Sequence, residues 1–228
     1  MENAALCGIK ADSLTVRGNS NLTIARKSGS PSDGRGNDYG IRATDLFVEE
    51  GIVHIPYSYS EGIYATNMTV SGGTISAQGG GYGVYVKKDL KVTGGGITAT
   101  GYEAGLHSQN LSLSRGGVTV SSSNLDSTAL YTYSCNVSGG TLNVTGPLRV
   151  LHAVTGIYLS GGTVNVTSSR GTGLSCGQGV ICLTGGTVNI TAADGAFSTM
   201  PSFSGCNAYE LKTGSSESDA VSTPLDQL

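Results

Sequence analysis

The stretch LSGGTVNVTSS, residues 159–169, is followed by a near copy, LTGGTVNITAA, residues 183–193. The two copies begin 24 residues apart, a spacing typical of repeat architectures. Weaker relatives of the same phrase begin at Val48, Val70, Val92, Leu113 and Val137. The pair therefore belongs to a series that runs through most of the chain.

A second phrase, a small residue followed by an aliphatic one, precedes each copy of the first. It recurs in steps of 21 to 24 residues, at Gly40-Ile41, Gly62-Ile63, Gly83-Val84, Gly105-Leu106, Ala129-Leu130, Val150-Leu151, Gly173-Leu174 and Ala196-Phe197. An earlier copy, Gly8-Ile9, lies 32 residues before Gly40, and the loop SGSPSDGRGND, residues 28–38, accounts for the excess. From residue 40 onward the chain is one repeat of about 22 residues.

Apolar and polar residues alternate within each repeat in short runs rich in Val, Ile and Thr, which is the pattern of strands rather than of helices. Asn67 and Gly72-Gly73 separate these runs and predict corners, because Asn and Gly adopt positive φ at little cost. In one unit, the residues expected to point inward are Ile63, Ala65, Met68, Val70, Ile75 and Ala77. We expect an all-β fold, a parallel β-helix (β-solenoid) of about nine coils with three short strands and three corners per coil.

The repeat register predicts interior columns and outward polar rows. The interior columns are Ile41, Ile63, Val84, Leu106, Leu130, Leu151, Leu174 and Phe197 on one wall, and Val53, Ile75, Ile97, Val118, Leu142, Val164 and Val188 on another. Asn143, Asn165 and Asn189 form an outward row that we expect to hydrogen-bond from coil to coil. Asp12, Asp45 and Asp89 share the corner of Asn67 and Asn110, where such side chains more often cap turns than catalyse reactions.

The unbroken period indicates a single β-helix domain over residues 1–214, with a loop insertion at 28–38 and a polar C-terminal tail at 215–228. Charged residues make up 13% of the chain and the formal net charge is −3, which gives no reason to expect nucleic acid or an anionic membrane as a partner. The sequence contains neither a transmembrane run nor a signal peptide. We expect a piece of a longer secreted or cell-surface chain, with neighbouring domains beside it and no membrane insertion.

The residues that carry common catalytic and metal-binding chemistry are scattered. The five cysteines are an odd number without a CxxC pair, so we expect unpaired thiols, with Cys135 and Cys176 inside the core and Cys182 and Cys206 off that pattern. The repeat register places His54 on a different wall from His107 and His152, which argues against a three-histidine metal site. The regular coils lack the paired ionisable groups that β-helix lyases and hydrolases use, so we expect no enzymatic activity.

One outward column differs from the rest. The residue after each aliphatic of the second phrase must face solvent, and five consecutive coils place a ring there: Tyr64, Tyr85, His107, Tyr131 and His152. These rings predict a stripe about 19 Å long that could cover the C–H faces of sugars and bond their hydroxyls. Stacked aromatics also stabilise neighbouring strands without any ligand, so a purely structural role stays open. Tyr57, Tyr59, Tyr82 and Tyr102 lie in corners near this column.

The phrases GGTVNVTSSRGTGLSC, GGTVNITAADGAFS and NDYGIRATDLFVEEG resemble those of bacterial carbohydrate-binding domain-containing proteins. The resemblance covers nearly the whole chain, but its motifs mostly encode the coil. It implies a single-stranded right-handed parallel β-helix, a secreted or surface location, binding to plant or microbial polysaccharide, and calcium held by acidic side chains at coil corners. No cofactor is required by the sequence itself.

The calcium expectation applies to one unit. Asp38-Tyr39-Gly40-Ile41 keeps the acidic residue that most other coils replace, and Asp38 could form an oxygen-rich site with Asp33 of the loop and Asp45 of the next corner. A solvated polar loop is the alternative interpretation of these residues.

Three hypotheses for function follow. The first is a non-catalytic module that binds a polysaccharide or cell-wall glycan along the Tyr64–His152 column. The second is a structural stalk or adhesion segment of a surface protein, and the third is a β-helix polysaccharide lyase or glycoside hydrolase.

Overall fold

The computed structural model describes residues 7–25 and 38–198, and beyond them the backbone of three short strands. The strands are β1 Cys7–Val16, β2 Asn21–Thr23, β3 Tyr39–Val48, β4 Ile52–Ser58, β5 Ile63–Val70, β6 Thr74–Gly79, β7 Tyr82–Val92, β8 Gly96–Gly101, β9 Ala104–Leu113, β10 Gly117–Ser122, β11 Thr128–Gly146, β12 Arg149–Ser168, β13 Thr172–Cys176, β14 Val180–Ala192, β15 Gly195–Phe197, β16 Ser202–Phe203, β17 Leu211–Thr213 and β18 Val221–Thr223. Within these ranges, no helix is long and apolar enough to span a membrane.

Strands β1 to β16 belong to one sheet, in which each strand pairs in parallel with its counterpart one repeat later. Ile41 pairs with Ile63, and the same register continues coil by coil through Leu106 and Leu151 to Phe197. Seven full turns therefore separate Ile41 from Phe197. The repeat pattern thus correctly predicts a parallel β-solenoid.

The prediction of about nine coils is too high, since the described solenoid has about seven turns. The segment assigned to a ninth coil, from Ser204 onward, lies mostly outside the described residues. Its one described strand, β17, pairs antiparallel with β18 and does not extend the parallel sheet. The predicted boundary at residue 214 stays a prediction, although β18 lies within the segment assigned to the tail.

Each coil has three walls, as the sequence predicts. In one coil the first wall holds Ile63 and Ala65, the second Met68 and Val70, and the third Ile75 and Ala77, and all six side chains are buried. The first two walls are not separate strands, because β5 runs through both with a bend between them. Asn67 lies at this bend without the positive φ expected of it, since no described residue other than glycine has one. A bend within a strand needs no left-handed residue.

The corner between the second and third walls does require glycine. Gly162 has φ of +76°, and a Cβ there would lie 2.5 Å from the carbonyl oxygen of Gly140 in the previous coil. A Cβ on Gly161 would lie 2.4 Å from the carbonyl oxygen of Ser138. Stacked coils pack too closely at this corner for any side chain, which explains why the Gly-Gly pair of the opening phrase recurs.

The core follows the predicted columns. Every described member of both interior columns is buried except Phe197, which packs partly buried against the last coil. Cys135 and Cys176 are buried fillers of the same core, Cys182 is half-buried, and all three thiols are unpaired as predicted. Burial raises the pKa of Cys135 to about 12, so this thiol stays protonated. Cys206 lies outside the described residues.

Candidate binding groove

The five predicted rings form one continuous stack, here called the aromatic ladder: Tyr64, Tyr85, His107, Tyr131 and His152. Ring centroids lie 5.3 Å apart between Tyr64 and Tyr85, 4.4 Å between Tyr85 and His107, and 5.1 Å between His107 and Tyr131. The planes of these pairs differ by 1°, 6° and 12°. His152 continues the ladder at 5.4 Å from Tyr131, tilted by 35°.

The register of the sheet produces this stack. Each ring stands between two inward residues of the first wall, such as Ile63 and Ala65 beside Tyr64, so it must point outward. Parallel pairing places one ring per coil at about 4.8 Å, which falls within the range of about 4.5 to 7 Å between the centroids of paired aromatic rings. The sequence period alone is therefore sufficient to bring these residues together.

The ladder's geometry changes how a ligand could use it. Tyr85 stacks on Tyr64 on one side and on His107 on the other, so both of its faces are covered by neighbouring rings. The edges of Tyr85 are the part of its ring that the neighbouring ladder rings leave uncovered. Packing of sugar C–H groups on the ladder's ring faces stays a prediction, and for the inner rings it competes with the stacking within the ladder.

Polar groups close both ends of the ladder. At one end the guanidinium of Arg42 lies 5.7 Å from the ring centre of Tyr64 and 5.3 Å from that of Tyr39, which itself contacts Tyr64 at 5.4 Å. At the other end, Nδ1 of His152 shares a hydrogen bond of 2.7 Å with Oγ of Ser175. Arg42 pairs with Tyr64 and Ser175 pairs with His152, so both residues lie in the ladder's own column, each one coil beyond an end of the ladder.

A second outward column runs beside the ladder at the bend between the first and second walls, and we call it the bend column. The inward residues just before the bend are small or β-branched and stack in register: Ala11, Ala43, Ala65, Val86, Ser108 and Thr132. The residue after each of them faces outward, which defines the bend column as Asp12, Thr44, Thr66, Lys87, Gln109 and Tyr133. Only the ladder stands out in the sequence, although the same alternation places the bend column outward as well.

A groove along the solenoid axis follows the ladder and the bend column, and its aromatic half also reaches Tyr82, Glu103 and Thr128 on the other side of the ladder. Its aromatic half has a volume of about 570 Å³ and is lined by Tyr82, Tyr85, Lys87, Glu103, Ala104, His107, Gln109, Thr128, Tyr131 and Tyr133. Its cationic half has a volume of about 700 Å³ and is lined by Lys10, Ala11, Asp12, Arg42, Ala43, Thr44, Tyr64, Thr66 and Lys87. Lys87 lines both halves. The groove crosses five coil steps, about 24 Å.

Two tyrosines in the aromatic half have rings nearly perpendicular to the ladder rings that they contact. The ring of Tyr82 is inclined by 74° to Tyr85 and by 79° to His107, and the ring of Tyr133 by 82° to Tyr131. Because the faces of Tyr85 and His107 are covered, their edges make the contact with Tyr82. Tyr133 is 45% exposed, so its ring is accessible to a ligand in the groove.

The titratable groups of the aromatic half favour neutral hydrogen-bonding partners. Burial, and then the neighbouring Glu103 carboxylate, raise the pKa of Tyr82 to about 12. Burial also raises the pKa of Tyr85. Burial lowers the pKa of His107, whose buried Nδ1 has no hydrogen-bond partner among the described residues. Near neutral pH this half therefore offers protonated hydroxyls and an uncharged imidazole.

Two carboxylates that the sequence analysis treated as scattered come close enough to influence each other. Burial raises the pKa of Glu61, with a smaller contribution from Glu103 two coils away. Glu61 accepts a hydrogen bond from Oγ of Ser60. Both glutamates stand at the corner before the first wall, on the side of the ladder away from the bend column. Only Glu103 lines the groove.

The described residues of the candidate calcium site are far apart. Asp38 directly precedes β3 and Asp45 lies beyond the bend of that strand, so seven residues of mostly extended chain, roughly 20 Å, separate them. Oδ1 of Asp45 accepts a hydrogen bond of 2.8 Å from Nδ2 of Asn67. Asp33 lies outside the described residues, and residues 7–25 and 38–198 contain no cluster of three acidic, His or Cys side chains suited to a metal ion. Calcium at this unit rests on the resemblance alone.

Two rows of polar side chains hydrogen-bond from coil to coil and belong to the scaffold: the Asn143–Asn165–Asn189 row, and the row of Asp45, Asn67, Asp89 and Asn110 at the bend. Nδ2 of Asn165 donates to Oδ1 of Asn143 at 2.8 Å, and Nδ2 of Asn189 donates to Oδ1 of Asn165 at 2.7 Å, as predicted. The row at the bend is bonded in pairs, with Asn110 donating to Asp89 at 2.7 Å. Asp12 does not belong to that row, because Ser13 is the residue that pairs with Asp45.

The remaining corner tyrosines lie apart from the ladder. Tyr57 and Tyr59 contact each other edge to face at 5.4 Å and line a different, smaller cavity of about 180 Å³ beside Cys7 and Tyr39. Tyr102 is 57% exposed.

Comparisons of the chain with protein-family models, with curated proteins and with solved structures found no match. The candidate site therefore rests on the geometry of the chain itself.

Proposed function

We propose that this chain is a non-catalytic polysaccharide-binding module of a secreted or cell-surface protein, and that the glycan lies lengthwise in the groove that follows the aromatic ladder and the bend column. The observation that carries the proposal is the aromatic half of the groove. Its volume, about 570 Å³, falls within the range of ligand sites, and its lining combines rings with hydrogen-bonding groups.

The lining matches the surface of a sugar. Sugars present C–H patches that pack on aromatic rings and hydroxyls that both donate and accept hydrogen bonds. Tyr82 and Tyr133 stand across the ladder and supply ring surface, while the ladder's edges supply the hydroxyls of Tyr85 and Tyr131. Gln109 and Glu103 add an amide and a carboxylate. Because the ladder places one ring in each of five successive coils, an extended chain suits the groove better than a compact ligand.

The second candidate, a structural stalk, is favoured by the covered ring faces. Stacked rings contribute about 0.5 to 1.5 kcal/mol per pair to stability, so the ladder has a sufficient role without a ligand. The two candidates give different roles to the groove residues outside the stack. Tyr133 contacts only one ladder ring and is 45% exposed, so a stalk would not need this tyrosine for its stability, whereas a binding module would use it to contact the glycan.

A glycan array, followed by retention on the best insoluble polymer, tests the proposal. Tyr82→Ala combined with Tyr133→Ala should abolish retention without unfolding the solenoid, because neither ring belongs to the stack. Tyr158→Ala is the matched control, since Tyr158 is 40% exposed on another wall. An array without any bound glycan, or a double variant that is retained like the unaltered chain, would rule out this function in favour of the stalk.

The third hypothesis, a lyase or hydrolase, is tested in parallel. Incubation with pectin-like and neutral polysaccharides should release neither unsaturated products nor reducing ends. Release that disappears in Glu103→Gln would instead assign catalysis to the groove.

A further inference from the structure

The cationic half of the groove concentrates positive charge on a chain whose formal net charge is −3. Lys10, Arg42 and Lys87, from three different coils, line this half together, and Asp12 is the one carboxylate among its lining residues. The local formal charge is therefore +2, from three cations and one carboxylate. Such a reversal of sign attracts an anionic ligand to one end of the groove.

In the part of the chain that the structure describes, the charged groups of Lys10 and Lys87 have no hydrogen bond or ion-pair partner, and the guanidinium of Arg42 lies beside the rings of Tyr39 and Tyr64. The two rings hold the guanidinium beside the groove while leaving its N–H donors for other partners. Glu61 lies close enough to Arg42 to feel its charge, but it does not line the cationic half of the groove.

Two hydroxyl side chains lie between the cations. Thr44 and Thr66 occupy the bend column between Asp12 and Lys87, and both line the same half of the groove. A ligand group placed there would meet a guanidinium fork, one or two ammonium groups and two hydroxyls. A phosphate monoester carries a charge of about −1.5 to −2 at pH 7 and three oxygens that accept hydrogen bonds, which matches both the charge and the number of donors. A carboxylate or a sulfate ester carries only one negative charge.

We propose that the cationic half binds a phosphate substituent of the glycan, held by Arg42, Lys87 and Lys10, while the neighbouring sugars occupy the aromatic half. This inference rests on the proposed function, since the phosphate is taken to be attached to the bound polysaccharide. Lys87 lines both halves and is the residue at which the two parts of the ligand meet.

The test compares retention of the chain on phosphomannan that carries monoester phosphate with retention on the same polymer after phosphatase treatment. The phosphorylated form should bind about tenfold more tightly, and this difference should shrink with added salt. The combined Arg42→Gln and Lys87→Gln variant should bind both forms alike. Lys91→Gln is the matched control, because Lys91 is an exposed lysine on the second wall. It should keep the difference.

Each outcome separates the two proposals. Equal retention of the two polymer forms would overturn the phosphate site and leave the proposed function intact. Retention of the phosphorylated form alone, with no neutral glycan bound on the array, would uphold the phosphate site and contradict stacking of sugars in the aromatic half. Polygalacturonate or dextran sulfate bound as tightly as phosphomannan would overturn the assignment to phosphate.

Discussion

The solenoid carries two outward ladders that look alike in sequence and differ in what they leave available. In the Asn143–Asn165–Asn189 ladder, Asn189 donates to Asn165 and Asn165 donates to Asn143 at 2.7 to 2.8 Å, so the groups that could bind a ligand bind one another. In the aromatic ladder the ring faces are used in the same way, but the hydroxyl edges remain beside a groove. No asparagine of the first ladder lines either half of that groove.

The comparison shows that a repeated residue on a repeated wall is a consequence of the coil and does not by itself identify a site. Stacking between coils covers part of each side chain. Ligand binding depends on the part that stays accessible, and on whether a second column lies close enough to form a groove with the stacked column. For the aromatic ladder the bend column provides that second side.

The largest effect should come from breaking the register that aligns both ladders. Gly162→Ala forces a side chain into φ of +76° and places its Cβ 2.5 Å from the carbonyl oxygen of Gly140. We expect a loss of about 2 to 4 kcal/mol in the free energy of unfolding, measured by denaturant titration. Gly117→Ala, where no heavy atom lies within 4 Å of the added Cβ, should change stability little. Equal effects of the two substitutions would contradict the packing account of the Gly-Gly corner.

A smaller effect should separate the two ladders. Asn165→Ala leaves Oδ1 of Asn143 and Nδ2 of Asn189 without their partner and should cost about 1 to 2 kcal/mol of stability. Retention on the glycan should not change, because this ladder lies away from the groove. Asn136→Ala removes only an exposed contact with Ser134 and serves as the control. Weaker glycan retention by folded Asn165→Ala would show that the polar ladder also contributes to binding.

Acidification should act on the aromatic ladder and leave the polar ladder unaffected. Burial lowers the pKa of His107 and, with a smaller contribution from Arg149, that of His152, from the ordinary value of 6.5. As pH falls, these two histidines bind protons first in the unfolded chain, where their pKa is higher. The contribution of the two neutral imidazoles to the free energy of unfolding is therefore complete above pH 6.5 and is lost as pH falls through the folded-state pKa values. Melting temperature should therefore decrease from pH 7 to pH 5. His107→Phe keeps the stack and should reduce that decrease, whereas an equal decrease in the variant would exclude His107 as its source.

The sequence predicts the fold well because the coil is encoded locally. The Gly-Gly corner, the alternating apolar residues and the 21 to 24 residue steps specify three walls, and the register then follows from burying Ile63 and its counterparts. The number of coils is less predictable, since the segment after residue 198 lacks the strong phrase that identifies the others. Its strand β17 pairs with β18, outside the parallel sheet.

The site is only half predictable for a physical reason. The period places Tyr64 to His152 in one line, but it does not reveal that parallel coils at 4.8 Å turn those rings face to face. Lys87 directly follows the inward Val86, so the alternation that locates the ladder also places Lys87 outward, although the sequence does not show that it borders a groove. Tyr82 and Tyr133 line the groove because of how their rings are oriented, and the repeat spacing in the sequence does not predict ring orientation.

We propose that the ladder's edges, rather than its faces, contact a glycan in the groove. Tyr85→Phe combined with Tyr131→Phe keeps both rings in the stack and removes only their hydroxyls, and Tyr158→Phe is the control on another wall. Retention of the folded double variant on the glycan identified by the array should fall about tenfold, with the melting temperature nearly unchanged. Undiminished retention would contradict the claim.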